Sequence, residues 1–116
     1  MEGYGNRAME DQEFKKHADE ALHALQRDLV LASDDYGFES NLHGTGITVS
    51  FERPPGKCTI GADSSAHQLK VSMAAHNFKL DWDIVENTFV HTETRQTLKE
   101  LVEQAISKHL KQDVEL

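Results

Sequence analysis

The sequence predicts an α+β fold: a two-layer sandwich in which an antiparallel sheet of five to six strands carries the N- and C-terminal helices on one face. Three observations lead there. Apolar residues recur at three- and four-residue steps near both ends of the chain and at two-residue steps between them. The connections between the period-2 runs are of hairpin length, which leaves no room for the crossover helices a parallel sheet requires. Finally, 116 residues support one small core. Elements with one apolar side each bury it most economically when both helices share a sheet face and the other face stays wet.

Residues 1–9, Met-Glu-Gly-Tyr-Gly-Asn-Arg-Ala-Met, show no period and carry two glycines, so they read as a flexible leader to a single domain over 10–116. From Glu10 the pattern is helical. Phe14, Ala18, Ala21, Leu22, Leu25, Leu29 and Ala32 cover an arc of about 100°, the width of a helix packed on one side. The turn formers Ser33-Asp34-Asp35-Tyr36-Gly37 are expected to stop it. Residues 38–42 then lead into His43-Gly44-Thr45-Gly46, a hairpin connection. Ile47, Val49 and Phe51 alternate with Thr48 and Ser50, the mark of a half-buried strand. Arg53-Pro54-Pro55-Gly56 reads as a firm turn, because proline lacks a ladder donor and fixes φ. Residues 57–61 make the third strand.

His67, Leu69, Val71 and Met73 alternate with Gln68, Lys70 and Ser72, and Phe78, Leu80 and Trp82 alternate with Lys79 and Asp81. A short strand spans about 88–91. Thr97-Leu98-Lys99-Glu100 has capping-box spacing, in which a hydroxyl and a carboxylate satisfy the first free N–H groups of a helix. Leu98, Leu101, Val102, Ala105, Ile106 and Leu110 form its apolar face.

The chain holds 12 Lys+Arg against 20 Asp+Glu, a formal charge of −8, and the excess is uneven. Residues 1–39 carry −6 and residues 40–116 only −2. That balance disfavours nucleic acid, whose binding rests on several Lys/Arg–phosphate contacts. No apolar run approaches the roughly 20 residues a membrane helix needs. Cys58 is the single cysteine, so no internal disulfide and no four-cysteine metal site can form. It reads as a half-buried strand thiol, and the cytosol is the simplest compartment.

The order helix, strands, helix resembles the frataxin family, including its bacterial form CyaY, over roughly residues 13–110. Phe14-Lys15-Lys16-His17-Ala18-Asp19-Glu20-Ala21-Leu22 is similar to the family's opening helix. Gly44-Thr45-Gly46-Ile47-Thr48-Val49 is similar to its first hairpin, and His67-Gln68-Leu69-Lys70-Val71-Ser72 to its central strand. Lys79-Leu80-Asp81-Trp82 and Thr97-Leu98-Lys99-Glu100-Leu101 are similar to the next strand and the closing helix. The resemblance implies a protein without catalytic residues that binds iron weakly through carboxylates on the first helix and first strand. It also implies a role in iron–sulfur cluster assembly, with a cysteine desulfurase and its scaffold as partners, met through the acidic ridge and the open sheet face. A monomer is the expected assembly. The chain departs from the family pattern at the exposed tryptophan of the central strand, where it has Lys70, and at Gly61 and Asp63 in the strand before. Arg27, Val30 and Leu31 stand where the family has late acids on the first helix.

Glu13, His17 and Glu20, at spacings of four and three, form one row opposite the apolar arc, with Asp19 beside them. Two carboxylates and an imidazole suit Fe²⁺, Mn²⁺, Co²⁺ or Zn²⁺; the same residues also make an ordinary solvated helix face. Asp34, Asp35 and Glu39 sit where the helix hands over to the first strand. There a cation could relieve the unfavourable helix dipole, although Asp is also simply a good turn residue. The seven histidines show no H-x-x-x-H or H-E-x-x-H spacing; scattered surface positions explain them, and so would weak uptake of Zn, Ni or Co. Gln68, Lys70, Ser72, Lys79 and Asp81 are expected on the open sheet face, with Thr48 and Ser50, as the partner-binding surface the resemblance implies. Trp82 is expected to pack in the core. Ser72, His76 and Asp81 supply the residue types of a hydrolase but no nucleophile elbow or oxyanion loop.

Overall fold

The computed structural model describes residues 10–52, 54–73 and 76–116. The expected leader over 1–9 and Arg53 of the expected turn lie outside the described residues. Helix α1 (Asp11–Tyr36) is followed by strands β1 (Phe38–His43), β2 (Gly46–Glu52), β3 (Pro55–Asp63), β4 (Gln68–Met73), β5 (His76–Asp83) and β6 (Thr88–His91), then helix α2 (Leu98–Leu110). The six strands form one sheet in chain order, each antiparallel to the next.

Register separates the two faces. Val49 opposes Cys58, Cys58 opposes Met73, Val71 opposes Phe78 and Leu80 opposes His91, so these side chains share the inner face. On it lie the buried Ile47, Ile60, Leu69, Val71, Leu80 and Phe89, packed in a single core with Phe14, Leu22, Leu29, Leu101 and Ile106 from the helices. α1 crosses the sheet. Near its start Phe14 meets Phe89 edge-on at 6.0 Å, while further along Gln26 accepts from the Ser40 hydroxyl of β1 at 2.6 Å. Lys99 at the start of α2 reaches Asp28 at 3.9 Å, which places the two helices side by side. Among the described residues, no helix is long and apolar enough to cross a membrane.

The helix ends differ from expectation at one point. α1 runs through Ser33, Asp34, Asp35 and Tyr36 and stops only at Gly37, whose left-handed backbone (φ 73°) lets its N–H reach Ser33 O at 2.9 Å. The Ser33 hydroxyl donates to Val30 O inside the helix, and buried Ala32 and half-buried Tyr36 hold the last turns on the core. Packing thus overrides weak propensity until a residue that tolerates positive φ ends the helix. α2 starts as predicted: the Thr97 hydroxyl accepts from Glu100 N, and the Glu100 carboxylate accepts from Thr97 N.

Four strand ends shift as well. β3 begins at Pro55, paired with Glu52, because a proline at a strand's first position costs little of the ladder. Gly56 therefore lies in the strand and not in the turn. His67, expected on a strand, sits in the β3–β4 turn with φ 54°, whereas His43, expected in a turn, ends β1. His76, which follows the period-2 run ending at Met73 and whose position reads from sequence as a turn, starts β5.

Candidate functional site

The first half of α1 carries the row predicted from spacing. His17 Nε2 lies 3.8 Å from Glu13 Oε2 and His17 Nδ1 lies 4.0 Å from Glu20 Oε1, so each ring nitrogen faces a carboxylate. The imidazole is not free on a solvated face. It stacks on the indole of Trp82 at 3.8 Å between centroids with the planes 17° apart, and its side chain is only 23% exposed. Trp82 in turn meets Phe89 edge-on at 5.1 Å. It is half-buried, so its predicted core role holds on one side and the His17 ring covers the other.

One turn earlier on α1 a second pairing appears. Asp11 Oδ1 is 2.6 Å from His67 Nε2, and the His67 ring stacks on Phe14 at 5.1 Å. His67, Phe14, Phe89, Trp82 and His17 thus form a continuous aromatic chain that fixes the start of α1 against β5, β6 and the β3–β4 turn. Sequence reasoning missed both contacts. Each joins residues more than fifty positions apart, and no local spacing encodes them.

The remaining predicted acids do not join this site. Asp19 is exposed, and among the described residues no hydrogen bond or ion pair ties its carboxylate to His17. Asp34 and Asp35 stand exposed in the last turn of α1, about 30 Å along the helix from Glu13 at 1.5 Å per residue. No basic residue shares that turn, so their charges oppose the negative end of the helix dipole uncompensated. Glu39 is exposed on the edge strand β1, opposite Ser50 and on the outer face. The seven predicted metal residues therefore form two groups at opposite ends of α1.

Among the described residues, no three His, Cys, Asp or Glu side chains converge into a preformed metal cage. The donor types nevertheless suit a borderline divalent ion: a hard carboxylate oxygen lies near each nitrogen of the imidazole, Glu13 at Nε2 and Glu20 at Nδ1. Both carboxylates would have to swing inward, which costs side-chain entropy and keeps such a site weak.

The open sheet face is as predicted by period. Gln68 opposes Asp81, Lys70 opposes Lys79 and Ser72 opposes Asn77, with Thr48 and Ser50 on the same outer face. Gln68 donates to Asp81 at 3.0 Å and Ser72 donates to Asn77 at 2.5 Å. Lys70 reaches Asp63 at 2.9 Å. The hydrogen bond from Lys70, joined by the backbone N–H of Ala66, holds the Asp63 carboxyl below the usual carboxylate range. Asp83 is likewise held low, first by the N–H of Glu86 and then by Arg95, whose guanidinium lies 2.6 Å away. Ile84 and Val85, beside it at the tip of the β5–β6 hairpin, are largely exposed.

Ser72 and Asp81 lie on the outer face while His76 opposes Met73 on the inner one, so these three do not assemble into a relay. Cys58 is fully buried, deeper than predicted, and burial pushes its thiol pKa up to about 12. A buried, neutral thiol lacks the thiolate character that metal binding and nucleophilic attack require.

With this geometry in place, the comparisons with known proteins are informative. A sequence model of the family described as "Frataxin-like domain" matches residues 7–112. Among solved structures the chain is similar to frataxin from Psychromonas ingrahamii, described as a model to study stability modulation within the CyaY protein family. That likeness has 20% identity and a TM-score of 0.72, over 92% of this chain and 97% of that one. At such identity it speaks for the fold. No curated protein matches the chain.

Proposed function

This chain belongs to the frataxin-like family, and from that premise we propose that it is an accessory protein of iron–sulfur cluster assembly. In this reading it binds iron weakly, as cargo, and meets a cysteine desulfurase and its scaffold in the cytoplasm as a monomer without catalysis of its own. The observation that carries the metal half is the placement of His17, with one carboxylate near each ring nitrogen on the exposed start of α1. Glu13 and Glu20 supply oxygen donors, His17 a nitrogen, and Asp19 a nearby charge that raises the local cation concentration. Asp34, Asp35 and Glu39 form a second, independent acidic station. The partner half rests on Gln68, Lys70, Ser72, Lys79 and Asp81, which share one flat, polar, accessible face.

Anaerobic Fe²⁺ titration followed by amide NMR tests the metal half. Broadening is expected first around Glu13–Glu20 and separately around Asp34–Glu39. Signals that stay sharp at millimolar iron overturn it.

Lys70 favours a second reading, that of an interaction module that keeps the fold without delivering iron. An ammonium paired with Asp63 replaces the apolar anchor that the family places on this strand. Co-purification with a desulfurase and scaffold of the same source supports the first reading, and failure to recover them supports the second. Tight Zn²⁺, Ni²⁺ or Co²⁺ binding with negligible Fe²⁺ binding would instead identify His17 as a site for another transition metal.

A further inference from the structure

A cleft of about 600 Å³ opens between α2 and the β4–β5 hairpin, away from both acidic stations. Two pins hold α2 above it. At the helix start, Thr97 bridges to Val90 of β6. At the helix end, His109 Nε2 contacts Pro54 O at 2.7 Å and its ring lies against Phe51 at 4.5 Å. Between the pins the buried Met73 and Leu101 floor the cleft, and the partly buried Phe78 and Ala105 present apolar surface to it. The result is a pocket with apolar walls and the volume of a small-molecule site.

Its polar rim is selective. Gln96 bonds to Gln104, Thr94 donates to Gln96, and His109 is taken by Pro54, so these groups are already satisfied. Lys108 and His76 also line the cleft, and among the described residues neither makes a hydrogen bond or ion pair. Among the described residues none that lines the cleft is acidic, in a chain with 20 Asp+Glu and a net charge of −8. An apolar wall beside an ammonium and an imidazole, with no carboxylate among the described lining residues, recognises one chemistry.

We propose that this cleft binds a small amphipathic anion, with a single carboxylate or sulfonate head at Lys108 and His76 and a short acyl or aryl body on Met73, Phe78, Leu101 and Ala105. Burial of the body supplies the driving force, at roughly 25 cal/mol per Å² of apolar surface. The head group fixes orientation and excludes cations of the same shape.

The test uses the whole chain, with anilinonaphthalene sulfonate as fluorescent probe, octanoate as competitor and octylamine as charge-reversed control. Saturable one-to-one probe binding to the folded protein, displaced by octanoate and not by octylamine, is expected. In octanoate titrations the amide shifts should centre on Met73, Phe78, Leu101 and Ala105. Lys108→Glu is an exposed change that leaves the core untouched, and it should weaken octanoate about tenfold or more. Ala105→Trp should fill the cleft and abolish binding. Absence of saturable binding overturns the proposal. So do equal displacement by octylamine, undiminished affinity in a folded Lys108→Glu variant, and shifts centred elsewhere.

Discussion

The imidazole of His17 lies flat on the indole of Trp82, 3.8 Å between ring centroids and 17° from parallel. This contact packs the first helix directly on the fifth strand. It also places the chain's one tryptophan beside the nitrogen donor of the candidate metal row.

Trp82 emission should therefore report metal. Co²⁺ titration is expected to quench it, and His17→Ala should remove the quenching while Asp34→Asn leaves it intact. Equal quenching in wild type and His17→Ala would show that the ion binds elsewhere. Trp82→Ala should also destabilise the fold by about 2 kcal/mol or more, since stacked and edge-on partners are lost together; chemical denaturation measures it.

Gly56 is required by the seat of His109. A Cβ at Gly56 would stand 2.5 Å from His109 Cε1, inside contact distance. Gly56→Ala should cost about 1–3 kcal/mol by overpacking. Adding His109→Ala should recover part of that loss, a coupling that a double-mutant cycle in urea resolves.

Acid should weaken the protein through two turns. Asp63 and Asp83 have carboxyls held below their unfolded values, so below about pH 4 the unfolded chain binds protons that the folded one refuses. Their stabilisation is complete above that pH and is lost as pH falls through the depressed folded values. Asp63→Asn and Asp83→Asn should each flatten the acid limb of a melting-temperature profile. Lys70→Ala should move Asp63 back toward the usual range in a carboxyl NMR titration.

Base should act through Cys58. Its thiol is held neutral in the fold, with a pKa of about 12, while an unfolded cysteine ionises near pH 8.5. Stability should therefore decline as pH rises above about 8.5, and Cys58→Ala should remove that decline. At pH 8 the native thiol should resist iodoacetamide and react once urea unfolds the chain.

Periodicity made the fold legible. The alternation from Ile47 to Trp82 determined which residues point inward, and β6 and the Thr97–Glu100 box fell where the pattern placed them. Element ends were less legible: Ser33–Tyr36 have turn propensities but are carried as helix by the packing of Ala32 and Tyr36. Site residues were legible only within an element. The row Glu13, His17, Glu20 follows from spacing on one helix, whereas Trp82 under His17 and Asp11 on His67 join distant segments that no window of sequence sees. The cleft beneath α2 arises from how two pins set a helix over a hairpin, a geometry that composition does not encode.

The strict chain-order arrangement of the sheet has a kinetic meaning. Each strand pairs with its sequence neighbour, so the ladder can grow one hairpin at a time with short loops to close. The helices close on a different scale: Tyr36 at the end of α1 accepts from Glu115 N across 79 positions. A ladder built from local hairpins is thus joined to its helices by distant contacts, this one together with Phe14 on Phe89, His17 on Trp82 and Lys99 beside Asp28. These long loop closures belong to a later stage than the hairpins.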